Sequence, residues 1–444
     1  MYVVEKFAVW AVQNRSYPIA PEVLHHAKRA VIDWYAALLP GAVVAPATLY
    51  EKALAEELDT GGARLAMGRK ATVRAAAFIN GTAAHTVEVD DIFRDGIYHP
   101  GAPTIPAALA LGQARNASGE AFLRSVITGY EISTRIGAAM GRAHYKYWHN
   151  TGTIGSFGAA AAGAEILKLD AARFAHALAT AATFAAGLQQ SFRMDSMTKP
   201  QHAGHAAEAG VTAALGAGEG VIGGLDVIEG EAGFGRAMGD GPDWDKALAT
   251  LGKDFHIQRM TFKNHACCGH TFAAIDGALA LQQKMKLAAN DIERVHVGSY
   301  RAAKEVSGYE KPRTPAEARF SLKYVVATAL THGSVRLAAF EPARMADPAT
   351  RALMQRIEVT IDPELDAAFP RQRAARVTLA ARGGRSETFL QPTRVGDPDA
   401  PLSDRQLDDK YLELAVPVLG EAAAKNLLAK LWRLEAEPNV HLLT

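Results

Sequence analysis

The stretch MTKPQHAGHAAEAGVTAAL, from Met197 to Leu215, constrains the fold more than any other part of the chain. It reads as a helix, yet it offers its surroundings almost nothing but alanine, glycine and small polar side chains. Such a helix gains stability only when its neighbours approach closely, so a compact multi-helix core is expected around it. FGAAAAGAEILKLD and AGVTAALGAGEG have the same character. Earlier, PEVLHHAKRAVIDWYAALLPG places Leu24, Ala27, Val31, Tyr35 and Leu38 on one face at helical spacing, with Pro40-Gly41 at its end. Helices are expected from there to about Gly252.

The pattern changes after about Phe272. ERVHVGSY (Glu293 to Tyr300), IEVTID (Ile357 to Asp362) and ARVTLAARGGRSETFL (Ala375 to Leu390) alternate apolar and polar residues and favour β-branched types. Gly383-Gly384 supplies a hairpin turn within the last of them. PAEARFSLKYVVATALTH, from Pro315 to His332, reads as one helix between the strands, which implies an α+β unit with a small antiparallel sheet. From Ser403 the helical pattern returns, and this tail is expected to pack back on the first domain. The fold class is therefore mainly α with a smaller α+β domain. Residues 1–268 and 401–444 form the expected all-helical domain, and residues 269–400 the inserted α+β lid.

Composition removes several function classes. Lys+Arg 48 against Asp+Glu 47 leaves a net charge of +1 without long runs of either sign, so neither nucleic acid nor a membrane surface is an expected partner. No apolar run approaches the roughly 18 residues of a membrane span. The opening MYVVEKFAVWAVQNRS has early charges and no cleavage-site pattern. The only cysteines, Cys267 and Cys268, are adjacent, a poor arrangement for a structural disulfide and one suited to a reducing compartment. A cytoplasmic protein is expected.

Four stretches carry residues suited to chemistry. In the first, Lys199 stands beside Pro200, which suits the first position of a helix, and His202 follows in the same turn. A helix start with a lysine beside it can receive a carboxylate, although a solvated Lys-Pro start has the same sequence. The second, VEVDDIFRDGIYHPGAPTIPAALALG, holds Glu88, Asp90, Asp91, Asp95 and His99. These are either solvated acids, or His99 is an acid/base group oriented by a carboxylate such as Asp90. A metal is a further reading, but the spacing that zinc sites use is missing. In the third, His149 precedes Asn150, Thr151 and Thr153, which can cap a helix or offer hydroxyls. Its glycines run G-x-x-G-x-x-G with no strand before them, so helix packing explains them better than a dinucleotide. The fourth, TFKNHACCGHTFAAIDGAL, gathers Lys263, His265, Cys267, Cys268 and His270. Zinc ligation, a cysteine nucleophile and an anion contact by Lys263 all remain open there, the last being preferred. Tyr309, Lys311 and Arg313 are either ligand contacts or a solvated loop.

These stretches, with PAEARFSLKYVVATALTHGSV and GDPDAPLSDRQLDDKY, resemble the MmgE/PrpD family in order and spacing over nearly the whole chain. The resemblance implies a large helical domain from both chain ends, a smaller α+β lid, a cleft between them, a homodimer and no required metal or cofactor. By position it assigns active-site roles to His99, His149, Lys199 and Lys263, and it matches the Asp-Asp pair to Asp90 and Asp91. Three positions depart from common family patterns: Glu88 stands where Asp is frequent, Ile92 where decarboxylase-like members carry Thr, and Phe272 where many have His.

The family includes 2-methylcitrate dehydratase, cis-aconitate decarboxylase and iminodisuccinate epimerase. The implied function is a cofactor-free lyase of the dehydratase type, acting on a small di- or tricarboxylate. Epimerisation or decarboxylation of a related polycarboxylate is the alternative, and a carboxylate-binding protein without catalysis is another. His99, His149, Lys199, Lys263 and Asp90 are the expected catalytic groups. Asp91, Thr151, His202, His270 and Tyr309 are the expected substrate contacts.

Overall fold

A computed structural model describes residues 1–192 and 196–443. The chain is mainly helical with a smaller α+β part, and it divides into two compact units. The first comprises Met1–Thr261 and Ser403–Thr444, and the second Phe262–Leu402. Among the described residues no single helix is long and apolar enough to cross a membrane.

The first unit is built around close helix contacts. The Thr198–Gly218 helix packs against the helices Val73–Thr86 and Asn150–Ile166. A methyl group at Gly210 would lie 2.3 Å from Ala159 Cβ, and one at Gly204 would lie 2.2 Å from Thr82 Oγ1. Neither fits, so glycine at these crossings is what lets the backbones meet. The G-x-x-G-x-x-G run is also packing: a methyl at Gly158 would sit 2.5 Å from Thr104 Oγ1. One short antiparallel hairpin, β1 (Leu58–Arg64) with β2 (Lys70–Ala71), interrupts the helices.

Two expected helix boundaries move. The helix expected from Pro200 starts at Thr198, so Lys199 lies inside its first turn. The Pro21–Ala42 helix runs through Pro40 before it stops. The tail helices Asp404–Leu419 and Glu421–Trp432 pack on Pro21–Ala42. Arg29 pairs with Asp404, and buried Lys410 pairs with buried Asp33. Lys410 Nζ also donates to the Val89 carbonyl at 2.6 Å, which ties the tail to the residue just before Asp90.

In the second unit β3 (Ile292–Ser299), β4 (Ile357–Ile361), β5 (Ala375–Ala381) and β6 (Ser386–Gln391) form one sheet in the order β4-β3-β5-β6. The expected all-antiparallel sheet is corrected at one edge, because β3 and β4 are parallel, with Val295 opposite Ile357. Helices fill the connection between them, as a parallel pair requires. Gly383 and Gly384, at φ 118° and 85°, make the β5–β6 turn. Ala375, Val377, Leu379 and Ala381 alternate inward on β5 and meet the Phe272–Met285 helix. The single helix expected over residues 315–332 is two, Pro315–Arg319 and Leu322–His332, because Ser321 is extended and its Oγ caps Tyr324 N.

Candidate active site

Residues 88–99 leave the Val73–Thr86 helix and lead into the Gly101–Ala114 helix. The Asp-Asp pair organises this passage, with the two carboxylates turned to different tasks. Asp91 faces inward: its Oδ1 accepts the Gly101 N–H at 3.0 Å and its Oδ2 the Tyr130 hydroxyl at 2.8 Å. Burial, then the nearby Asp33 and Asp90 charges, push its pKa up to about 8. Both oxygens are engaged and the group is buried, which disfavours a direct substrate contact. Asp91 pins the start of the helix that follows His99 and thereby positions the histidine. Ile92 supports the same passage through paired backbone hydrogen bonds with Thr261, each 2.8 Å.

Asp90 is buried between two imidazoles. Its Oδ2 lies 2.8 Å from His85 Nδ1 and 3.1 Å from His99 Nδ1. The His85 and His99 ring centroids are 4.6 Å apart, and His85 also stacks on His149 at 5.4 Å and 22°. His85 is wholly buried, and its Nε2 has no hydrogen-bond partner. The ligand atoms of His85, Asp90 and His99 all lie within 4.8 Å of one another, close enough to hold a metal ion. Within the trio the His85 contact is a hydrogen bond, and the His99 contact is an ion-pair distance to the same oxygen.

The rest of the cluster comes from the starts of two helices. His149 is the N-cap residue of Asn150–Ile166, held by its N–H to the Gly187 carbonyl at 2.9 Å. Its Nδ1 meets His202 Nδ1 at 3.0 Å. One of these nitrogens must donate and the other accept, so the pair can carry at most limited positive charge. Electrostatics agree with that. Burial first, then His85, Lys199, His202 and His99, hold the His149 pKa well below the usual histidine value. Burial and His85 lead the causes that lower His202 to about 4. Both rings are neutral at pH 7. Thr151 Oγ1 accepts the His99 N–H at 3.3 Å and is buried, so it braces His99. Lys199, in the first turn of its helix, is partly exposed and pairs with Glu88.

The second unit treats its histidines differently. His265 Nε2 bonds Asp276 Oδ1 at 2.9 Å, while Asp276 Oδ2 accepts the Val395 N–H at 2.8 Å. His270 Nδ1 meets the Tyr300 hydroxyl at 2.9 Å, and burial above all lowers His270 to about 4. Tyr300 stacks on Phe369 at 4.5 Å. Phe272 is buried beside the His265 ring at 5.2 Å and under the Arg394 guanidinium at 6.0 Å, so it belongs to the core of this unit. Lys263 is nearly buried, and Tyr309 is half-exposed. Cys267 contacts Thr271 Oγ1 at 3.2 Å, and burial raises its pKa far above neutrality. A raised pKa keeps the Cys267 thiol protonated and disfavours it as a nucleophile.

The first unit thus brings together five of the expected residues, Asp90, His99, His149, Lys199 and His202, with Asp91 and Thr151 as supports. It adds His85, Tyr130 and Lys410, which the sequence did not single out. The only hint of His85 was a histidine in the last turn of an alanine-rich helix, five positions before Asp90. Lys410 gave no local signal at all.

Comparison with known families shows which class of protein this mainly helical chain with its inserted α+β unit belongs to. Residues 5–247 match the MmgE/PrpD N-terminal domain and residues 265–434 the MmgE/PrpD C-terminal domain, so the chain belongs to the MmgE/PrpD family. It is similar to the cis-aconitate decarboxylase-like protein oryM of Aspergillus oryzae, with 25% identity over 97% of this chain and 94% of that one. It is also similar to the cis-aconitate decarboxylases of Homo sapiens and Mus musculus. Each is 26% identical over 83% of this chain, covering 78% and 77% of those proteins respectively.

Proposed function

We propose that this chain is a cofactor-free lyase that moves a proton at a carbon next to a carboxylate of a small di- or tricarboxylate, in the manner of a dehydratase. The observation that carries the reading is the pairing of two differently supported histidines. His149 is held neutral, ready to accept a proton. His99 is backed by the buried Asp90 carboxylate, which steadies its ring and offsets positive charge when the ring carries two protons. Lys199, whose charge reaches His149, supplies a fixed cation for a substrate carboxylate as negative charge develops on it. Dehydration uses all three. The C–H bond breaks towards the base, the C–O bond breaks as the acid delivers a proton to the departing hydroxyl, and a C=C bond forms.

Decarboxylation is the second reading, favoured by the similarity to cis-aconitate decarboxylases. There the C–C bond breaks, CO₂ leaves and the acid returns a proton to carbon. Epimerisation would use the same base and acid on one carbon. Lys263 is proposed as a second lysine in the chemistry on the strength of the family resemblance. A homodimer is proposed on the same ground, and sedimentation showing only a single-chain mass at micromolar concentration would contradict it.

The deciding experiment offers citrate-like, aconitate-like and amino-dicarboxylate substrates to the protein in D₂O and follows them by NMR. Loss of water supports the first reading, and loss of CO₂ replaces it with the second. Deuterium uptake at the α-carbon without net loss indicates epimerisation. No exchange with any substrate would leave a carboxylate-binding protein.

A further inference from the structure

Glu88 stands two residues before Asp90 but serves a different partner, since its carboxylate forms an ion pair with Lys199. Its backbone sits at φ 61°, a region that costs a residue with a side chain. The contact returns little stability for that cost. The Glu88 side chain is 40% exposed and the Lys199 side chain 24%, and ion pairs so open to water contribute little. A strained residue that places a carboxylate on the cation of a candidate carboxylate site needs a functional explanation.

We propose that Glu88 is a specificity-determining residue: an internal carboxylate that competes with the ligand for Lys199 and discriminates against ligands of higher negative charge. The proposal rests on the reading of Lys199 as a substrate-carboxylate contact. A ligand carboxylate reaches Lys199 only by sharing or displacing Glu88, and the displaced anion stays tethered nearby. One carboxylate on the ligand can be exchanged for Glu88 with little change in local charge. Each further carboxylate meets the repulsion of an anion that cannot diffuse away. The site therefore selects dicarboxylates over tricarboxylates, and the preference grows at low ionic strength.

The test is calorimetric binding of glutarate and tricarballylate to the full chain. The proteins compared are wild type, Glu88→Gln, Lys199→Ala and the double variant. Glu88→Asn serves as a second charge removal that tolerates positive φ. Both Glu88 variants should bind tricarballylate about tenfold more tightly, the Coulomb scale of one nearby like charge, and glutarate with a smaller gain. Lys199→Ala should weaken both ligands and change the gain in the double variant, because the competition for the cation is then gone and only the repulsion by Glu88 remains. Unchanged tricarballylate affinity in both Glu88 variants, with Lys199→Ala still weakening binding, would overturn the role of Glu88 and leave the reading of Lys199 intact. An equal gain with and without Lys199 would also overturn it. Absence of binding by every protein would overturn both.

Discussion

Two groups of histidines, one in each unit, use the same residue types and are wired differently. In the first, His85 and His99 share one carboxylate oxygen, His149 meets His202, and His85 stacks on His149. In the second, His265 is tied to Asp276 and His270 to Tyr300, each histidine with a partner of its own. A histidine linked to further histidines can pass a proton and have its charge adjusted by its neighbours. One fastened to a single structural partner chiefly holds its surroundings in place. The difference teaches that a count of histidines per loop says less about a candidate site than the pattern of shared partners does.

The strongest way to break this contrast is to remove a linked histidine. His99→Ala is expected to lower kcat by roughly 10²–10⁴ without unfolding the protein, as read by steady-state kinetics and circular dichroism. Lys199→Ala comes next, with a loss of roughly 10²–10³, the scale for one preorganised stabiliser. In the second unit the expected effect changes kind. His265→Ala leaves the buried Asp276 without its ring partner, so it should cost about 1–3 kcal/mol in denaturant unfolding while kcat falls less than about tenfold. A kcat loss there as large as that of His99→Ala would erase the distinction between the units.

Acid sharpens the comparison further. Burial leads the causes that lower His144, His202, His256 and His270 to about 4, against an ordinary value of 6.5. Between those values the unfolded chain binds more protons than the folded one, so stability rises with pH across that window. The contribution is complete above about 6.5 and is lost as pH falls towards 4, which thermal melts at pH 7.5 and 5 would register as a lower Tm. The acid limb of kcat/KM should likewise lie below 6.5, because His149 and His202 stay neutral to lower pH. The smallest expected effect is none: exhaustive chelation should leave turnover intact, since the sequence lacks the ligand spacing that zinc sites use. Loss with EDTA that a specific divalent ion restores would reassign that cluster as a metal site.

Much of the layout was legible because local rules carried it. Alternation and Gly383-Gly384 marked β5 and β6, and the small-residue run around Gly204 and Gly210 announced a closely packed helix. The direction of β4 was not legible, since alternation has the same appearance in parallel and antiparallel pairs. The break at Ser321 was hidden in a stretch whose periodicity continues through it. The site divides in the same way. His99, His149 and Lys199 stand beside Pro100, Trp148 and Pro200, in motifs that carry the family resemblance. His85 lies within an alanine-rich helix and shows its role only once Asp90 folds back on it. Lys410 reaches Val89 from 321 positions away, a contact that no local pattern encodes.

The central claim is that His99 and Lys199, 100 positions apart in sequence, serve one transition state. A double-mutant cycle on kcat tests it most directly, once a turned-over substrate is in hand. The double variant His99→Ala/Lys199→Ala should lose less, in free energy, than the sum of the two single losses, because either substitution alone already disables the shared step. Strict additivity, with near-normal kcat in each single variant, would contradict the account and turn both residues into surface or structural groups.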